Sequence, residues 1–105
     1  MARILPLDPY IVDVLMRDLT GHDRRPSAFL VYLLLWHRTA GSGVRSVRLS
    51  HRAIAEATGL SKSAVQAAVR TLARRRLVRS QRDGRTATPE YVVERPWIRA
   101  RPAAR

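Results

Sequence analysis

The segment from Ser50 to Val78 constrains the fold most strongly, because it holds two short amphipathic stretches separated by a tight turn. Ser50 is a good N-cap for the first helix, and Gly59 stands where that helix must end. The apolar positions between them have the spacing of one helix face. They are Ala53, Ile54 and Ala57. The segment therefore predicts a short helix followed directly by a turn.

A second helix is predicted immediately after this turn, with Ser61 as its N-cap. Its buried stripe consists of four residues at helical spacing, namely Val65, Ala68, Val69 and Leu72. The opposite face carries no bulky apolar side chain. The residues on and beside that face are Lys62, Ser63, Gln66, Ala67, Arg70 and Arg74. The pattern is typical of a helix-turn-helix whose second helix is basic.

A β-hairpin is predicted downstream of the second helix. Residues 77–82 have the composition of a strand, Asp83-Gly84 is a strong hairpin-turn dipeptide, and residues 91–93 can form the returning strand. Pro89 lies inside the returning segment. Because proline has no backbone N–H, we expect that strand either to begin late or to lie at the edge of the sheet.

Residues 27–97, with this helix-turn-helix and hairpin, resemble the winged helix-turn-helix family of bacterial transcription regulators, and plasmid replication initiators use a similar module. The resemblance implies that the second helix enters the major groove of double-stranded DNA. It also implies that the hairpin, called the wing, touches the DNA backbone or minor groove. The expected fold class is mainly α with a small β-hairpin, a winged helix-turn-helix with an extra N-terminal helix.

The first half of the chain predicts two more helices and a short strand. Asp8-Pro9 can start the extra helix, which ends near Gly21. Ser27 is the expected cap of an almost wholly apolar helix, which should be central. Its aromatic residues are expected in the core and not in a ligand cage; they are Phe29, Tyr32 and Trp36. Residues 44–49 can form the strand that often precedes a helix-turn-helix in winged domains.

These elements divide the chain into residues 1–26 (N-terminal helix and linker), residues 27–97 (winged domain) and residues 98–105 (a mobile basic tail). The N-terminal helix can pack on its own domain or pair with the same helix of a second chain. A homodimer is favoured because regulators that read symmetric sites double their contacts. The candidate dimerisation positions are Val12, Leu15, Met16 and Leu19. Trp97 can lock the C-terminal segment onto the domain or contribute to a dimer seam.

The formal net charge is +12, from 20 basic and 8 acidic residues, which favours a polyanionic partner. The excess is +3 over residues 1–49 and +9 over residues 50–105. With no cysteine, disulfides and thiolate metal sites are excluded. The longest apolar run, residues 28–36, is too short for a membrane helix. We expect a cytoplasmic, nucleoid-associated protein with no membrane contact, cofactor, metal or evident small-molecule ligand.

No catalytic site is predicted. His22, His37 and His51 fall in different elements, and no paired carboxylates or metal-binding motif accompany them. The sequence also has no nucleophile-turn motif and no glycine-rich phosphate loop. We therefore do not expect an enzyme.

The proposed DNA contacts fall into two classes. Base edges are expected to be read by Lys62, Ser63, Gln66, Ala67 and Arg70. Phosphate or wing contacts are expected from Ser50, Arg52, Ser61, Thr71, Arg74, Arg79, Arg82 and Arg85. At most two residues of the 74–79 arginine run can meet DNA together, and the others are expected to be solvated.

The function expected is sequence-specific binding to double-stranded DNA and regulation of transcription, as a repressor that occludes a promoter. Two alternatives stay open. One is an accessory DNA-binding protein of replication, partition or a mobile element. The other is a winged-helix module that binds a protein or RNA.

Overall fold

A computed structural model describes residues 3–85 and 87–98 of the chain. These residues form an N-terminal helix, three α-helices and one three-stranded antiparallel sheet. The N-terminal helix covers residues 9–22 and has wide π-type turns at Ile11–Leu15 and Asp18–His22. The other elements are α1 (Pro26–Arg38), a 3₁₀ turn (Ala40–Ser42), β1 (Ser46–Arg48), α2 (His51–Thr58), α3 (Lys62–Arg74), β2 (Val78–Gln81) and β3 (Glu90–Val93).

Helix α1 is the centre of the core, as its apolar sequence predicts. Its buried residues are Ala28, Phe29, Val31, Tyr32, Leu35 and Trp36. The helix begins at Pro26, with Arg25 as the N-cap, so the expectation that Ser27 caps it is wrong. Proline suits the first helical position because its fixed φ is already helical and no N–H is needed there.

The N-terminal helix packs on its own domain. Ile11, Leu15 and Leu19 lie four residues apart and are at most 3% exposed. Because π turns hold more residues than α turns, a helix that mixes both keeps positions four apart on one face. Leu15 and Leu19 therefore belong to the core, and their assignment as dimerisation positions is corrected. Val12 and Met16 stay 45% and 40% exposed.

The sheet has the order β1-β3-β2, with β3 in the middle. Tyr91 pairs with Val47 on one side and Ser80 on the other, and its ring is buried. β3 begins directly after Pro89, so the expected late start is confirmed, whereas the edge position is wrong. Pro89 still contributes its carbonyl, which accepts a 3.2 Å hydrogen bond from the Leu49 N–H.

The strands are shorter than the sequence predicts. β1 covers three residues of the expected 44–49, and β2 covers four of the expected 77–82. Residues 82–89 connect β2 to β3, so Asp83-Gly84 is part of a longer loop and does not form a two-residue hairpin turn by itself.

Trp97 holds the C-terminal segment against the N-terminal helix. Its ring stacks on Tyr10 with 4.5 Å between centroids and 11° between planes. Its indole N–H donates a 3.1 Å hydrogen bond to Asp8 Oδ2. Of the two roles expected for Trp97, the structure shows the lock on its own domain. Ile98 is exposed, and the rest of the tail predicted for residues 98–105 lies outside the described residues.

We predict that Trp97→Ala lowers the free energy of unfolding by about 2–3 kcal/mol, less than a fully buried tryptophan would cost, because Trp97 is half-buried. Trp97→Phe keeps an aromatic ring over Tyr10 but loses the N–H donor and part of the ring surface, so it should cost less than Trp97→Ala, about 1–2 kcal/mol. Urea denaturation of both variants measures these two losses in the free energy of unfolding. Equal stability of Trp97→Ala and the unsubstituted protein would contradict the lock.

Candidate nucleic-acid interface

The two helices of the helix-turn-helix are capped as their sequence predicts. Ser50 Oγ accepts a 3.0 Å hydrogen bond from the Ala53 N–H, and Ser61 Oγ accepts one of 3.1 Å from the Ala64 N–H. Gly59 ends α2 with φ +81°. In that left-handed conformation a side chain would be strained, whereas glycine is not. The turn therefore has its direction set by local interactions.

The inner faces of α2 and α3 are packed into the core. Ile54, Val65 and three further residues of α3 are buried. Those three are Ala68, Thr71 and Leu72. Val69 and Ala53 are half-buried, while Ala57 is exposed and so is not part of the predicted apolar contact. Because the inner face of α3 is buried in the core, its opposite face points to solvent.

The outward face of α3 carries all five residues expected to read bases. Lys62, Ser63 and Arg70 are exposed, and Gln66 and Ala67 are half-buried. They lie at helical spacing over two turns and a half, which places them side by side on one surface. The face is thus available for insertion into a groove.

Thr71 lies on the other side of the helix. It is only 3% exposed, so the expectation that it touches a phosphate is corrected. Its hydroxyl accepts a 3.4 Å hydrogen bond from Arg74 Nη2, which remains exposed near the end of α3.

The run of arginines after α3 is divided between roles. Arg75 pairs with Asp18 at 3.7 Å and with Asp23 at 3.4 Å, so it ties the end of α3 to the N-terminal helix. Arg79 Nε pairs with Glu94 Oε1 at 2.9 Å across the β2–β3 hairpin. Arg75 is therefore structural and not a solvated side chain, and Arg79 is engaged with a carboxylate in this structure.

A basic cleft lies between the start of α2, the start of α3 and the loop that joins β2 to β3, which we call the wing loop. Its polar and charged lining residues are Ser50, His51, Arg52, Lys62, Arg82, Arg85 and Thr88. The fold thus brings together four of the expected phosphate contacts, which are Ser50, Arg52, Arg82 and Arg85. Ser61 is exposed at the adjoining start of α3. We call this surface the basic cleft.

Sequence reasoning missed His51 as a member of this cleft. It is the first residue of α2, and the fold places Lys62 of α3 and the arginines of the wing loop beside it. Partial burial, followed by the charges of Arg82 and Lys62, lowers the pKa of His51 from its ordinary value. Its position directly after a serine cap was the one signal that could have indicated a site near a helix N-terminus.

The cations of the interface differ in their engagement. Arg52 forms an ion pair with Glu56 on the next turn, at 3.3 Å. Within residues 3–85 and 87–98, no ion pair engages Lys62, Arg70, Arg82 or Arg85. These four side chains can approach a polyanion without first losing a carboxylate partner.

Two further findings concern other kinds of site. In the part of the chain that the structure describes, no group of three or more His, Cys, Asp or Glu side chains is arranged to hold a metal ion. No helix among the described residues has the length and apolarity needed to cross a membrane.

Comparison with known proteins gives one match. The family model of the MarR family matches residues 30–86, more than half of the chain. The matched region runs from α1 through the helix-turn-helix to the wing loop. No curated protein and no solved structure matched the chain.

We predict that Gly59→Ala lowers the free energy of unfolding by about 1–2 kcal/mol, because the added Cβ is strained at φ +81° although no atom lies within 4 Å of it. Gly21→Ala is the matched control, since that glycine also has open space but no left-handed φ. In a helical turn this change should stabilise the protein by about 0.5–1 kcal/mol. Thermal denaturation should show lower stability for Gly59→Ala and higher stability for Gly21→Ala than for the unsubstituted protein. A stabilising Gly59→Ala would contradict the assigned turn geometry.

Proposed function

Because the chain belongs to the MarR family and is a winged helix-turn-helix DNA-binding transcription regulator, we propose that it recognises a specific sequence in double-stranded DNA and represses transcription by occluding a promoter. The observation that carries the proposal is the outward face of α3. Five polar, small or basic residues lie on it with no bulky apolar side chain among them. Beside it is a cleft in which Lys62, Arg82 and Arg85 form no ion pair with a described residue.

The chemistry of this face suits base recognition. Arg70 can donate two hydrogen bonds to a guanine, Gln66 can pair with an adenine, and Ala67 can contact a thymine methyl group. Lys62 and Ser63, at the start of α3, are proposed to reach base edges at the other end of the same surface. A good bidentate pair discriminates between bases by about 1–3 kcal/mol.

Phosphate contacts would position α3 in the groove. Arg82 and Arg85 lie on the wing loop, and Arg82 Nη1 donates a 3.3 Å hydrogen bond to the Arg85 carbonyl, which holds the Arg82 side chain along this loop. Ser50 and Ser61 cap helices whose free N–H groups favour an anion. Such contacts fix orientation without reading sequence.

Repression is proposed because occlusion requires only a bound protein. A bound winged domain covers the major groove with α3 and the flanking backbone with the wing. RNA polymerase cannot use the same surface at the same time. Binding that lies beside a replication origin instead of a promoter would favour an accessory role in replication, partition or a mobile element.

We further propose that the protein acts as a homodimer that uses the N-terminal helix. Val12 and Met16 lie four residues apart on its outer face and are 45% and 40% exposed. Apolar side chains in that pattern can pair with the same face of a second chain about a two-fold axis. Such a dimer would place two copies of α3 on two half-sites of an inverted repeat.

Selection of bound duplexes from a random DNA pool at physiological salt tests the proposal directly. Enrichment of one motif upstream of genes supports a regulator, and an inverted repeat supports the dimer. Absence of any enriched motif, with binding that fades as salt rises, would overturn sequence-specific recognition. Tighter binding to RNA or to an acidic protein would then favour the interaction-module alternative.

We predict that Arg70→Ala relaxes base preference at one position of the selected motif, with a loss of about 1–3 kcal/mol confined to the cognate sequence. Arg82→Ala should instead weaken binding to all sequences alike. It should also lower the salt dependence, because the slope of the logarithm of the binding constant against the logarithm of the salt concentration falls by about one for each lost phosphate contact. Titrations against cognate and scrambled duplexes at several salt concentrations measure both. An equal loss on every sequence from both variants would contradict this division of roles.

We predict that replacing Val12 and Met16 together by glutamate converts the protein to a monomer in sedimentation velocity experiments, because buried carboxylates without partners are costly at an interface. Leu30→Glu is the control, since Leu30 is similarly exposed, at 42%, but lies on α1. It should leave the association state unchanged. If the unsubstituted protein is a monomer that still selects a single half-site, the proposed homodimer is contradicted and the proposed regulator is not.

A further inference from the structure

The basic cleft contains one group that can change its charge near neutral pH. We propose that His51 contacts a phosphate of the bound DNA and takes up a proton from solvent when it does so, which makes DNA binding stronger at lower pH. This inference rests on the proposed function, because it assumes that the basic cleft faces the DNA backbone. It adds a contact residue and a proton-linked affinity to that function.

The geometry of the His51 ring supports a role toward a ligand. The side chain is half-buried at the first position of α2. Two adjoining cavities share His51, Arg82 and Pro89 in their linings, so the ring lies between the wing loop and the helix-turn-helix. Among the residues that the structure describes, neither ring nitrogen of His51 makes a hydrogen bond. Both nitrogens are therefore available to donate to an anion when the ring is protonated.

The charged groups around His51 are predominantly basic. They comprise Arg52 and Glu56 on α2, Lys62 at the start of α3, and Arg82 and Arg85 on the wing. Glu56 is engaged with Arg52, and the nearby wing carboxylate Asp83 pairs with Arg48. Tyr91 of β3 lines one of these two cavities together with His51. Burial raises the pKa of the Tyr91 hydroxyl, so this group is neutral at physiological pH.

These surroundings favour the neutral imidazole in the free protein. Partial burial lowers the pKa of His51 because it removes water from the charged form, and Arg82 and Lys62 lower it further by repulsion. The N-terminus of α2 adds a partial positive charge close to the ring. At neutral pH the free protein therefore carries a cleft of fixed cations around an uncharged histidine.

A DNA phosphate reverses this balance. Its negative charge offsets the repulsion from Arg82 and Lys62, and its oxygens accept hydrogen bonds that the protonated ring can donate. The pKa of His51 is then higher in the complex than in the free protein. Between those two values the complex binds more protons than the free protein, so affinity is gained as pH falls through this window. Above the pKa of the complex the extra affinity is lost.

The test uses the full chain and a mixed-sequence DNA duplex of about three helical turns at low ionic strength. Phosphate contacts do not require the cognate sequence, so the selected motif is not needed. Dissociation constants are measured between pH 5.5 and 8. For one proton taken up, affinity should rise by up to about tenfold per unit of decreasing pH at the steepest point. His51→Gln should remove this rise.

His22→Gln and His37→Gln are the matched controls, because both histidines are exposed and neither lines the basic cleft. Both controls should keep the pH dependence of the unsubstituted protein. A pH dependence that persists unchanged in His51→Gln would overturn the inference while leaving DNA binding intact. No binding of the unsubstituted protein to any duplex at any pH would overturn the proposed function itself.

A second measurement does not depend on the substitution. Nuclear magnetic resonance of histidine-labelled protein follows the Cε1–H signal of His51 against pH, with and without the duplex. The midpoint should lie at higher pH in the presence of DNA. A midpoint of His51 that stays in place or moves to lower pH on DNA binding would overturn the inference.

Discussion

Burial of one broad face of α1 is the constraint on which the rest of the fold depends. A helix with six buried side chains in thirteen residues needs covering elements in several directions. The N-terminal helix, α3 and the sheet supply them. The Tyr32 hydroxyl donates a 3.0 Å hydrogen bond to the Glu94 carbonyl, so the polar end of this buried side chain is tied to the residue after β3. Because α3 must cover α1 with one face, its other face is fixed toward solvent.

The distribution of charge follows from this arrangement. Arg75 and Arg79 are held by carboxylates and join elements to each other. Lys62, Arg70, Arg82 and Arg85, on the outward face of α3 and around the basic cleft, form no ion pair in the described chain, so they repel one another and raise the electrostatic potential of this surface. That repulsion is relieved when phosphates arrive, and the same surface therefore gains more from a polyanion than isolated charges would.

Local interactions explain which features the sequence predicts well. The caps at Ser50 and Ser61 and the stop at Gly59 depend on atoms within four residues. The late start of β3 follows from the missing N–H of Pro89 in the same way. Helical periodicity also identified the inner stripe of α3. It did not reveal that Thr71 is buried with that stripe, because a threonine can satisfy its hydroxyl locally and periodicity ranks it as polar.

The sequence by itself therefore determined the helix-turn-helix, its basic outward face and the existence of a wing, since these are encoded in spacing, capping and charge within short segments. Only the tertiary structure decided that Leu15 and Leu19 face the core, that Trp97 stacks on Tyr10, and that His51 lies beside the wing loop. These contacts join residues far apart in the chain. An amphipathic pattern shows that a face will be covered, but the covering partner is chosen by how all the elements pack together.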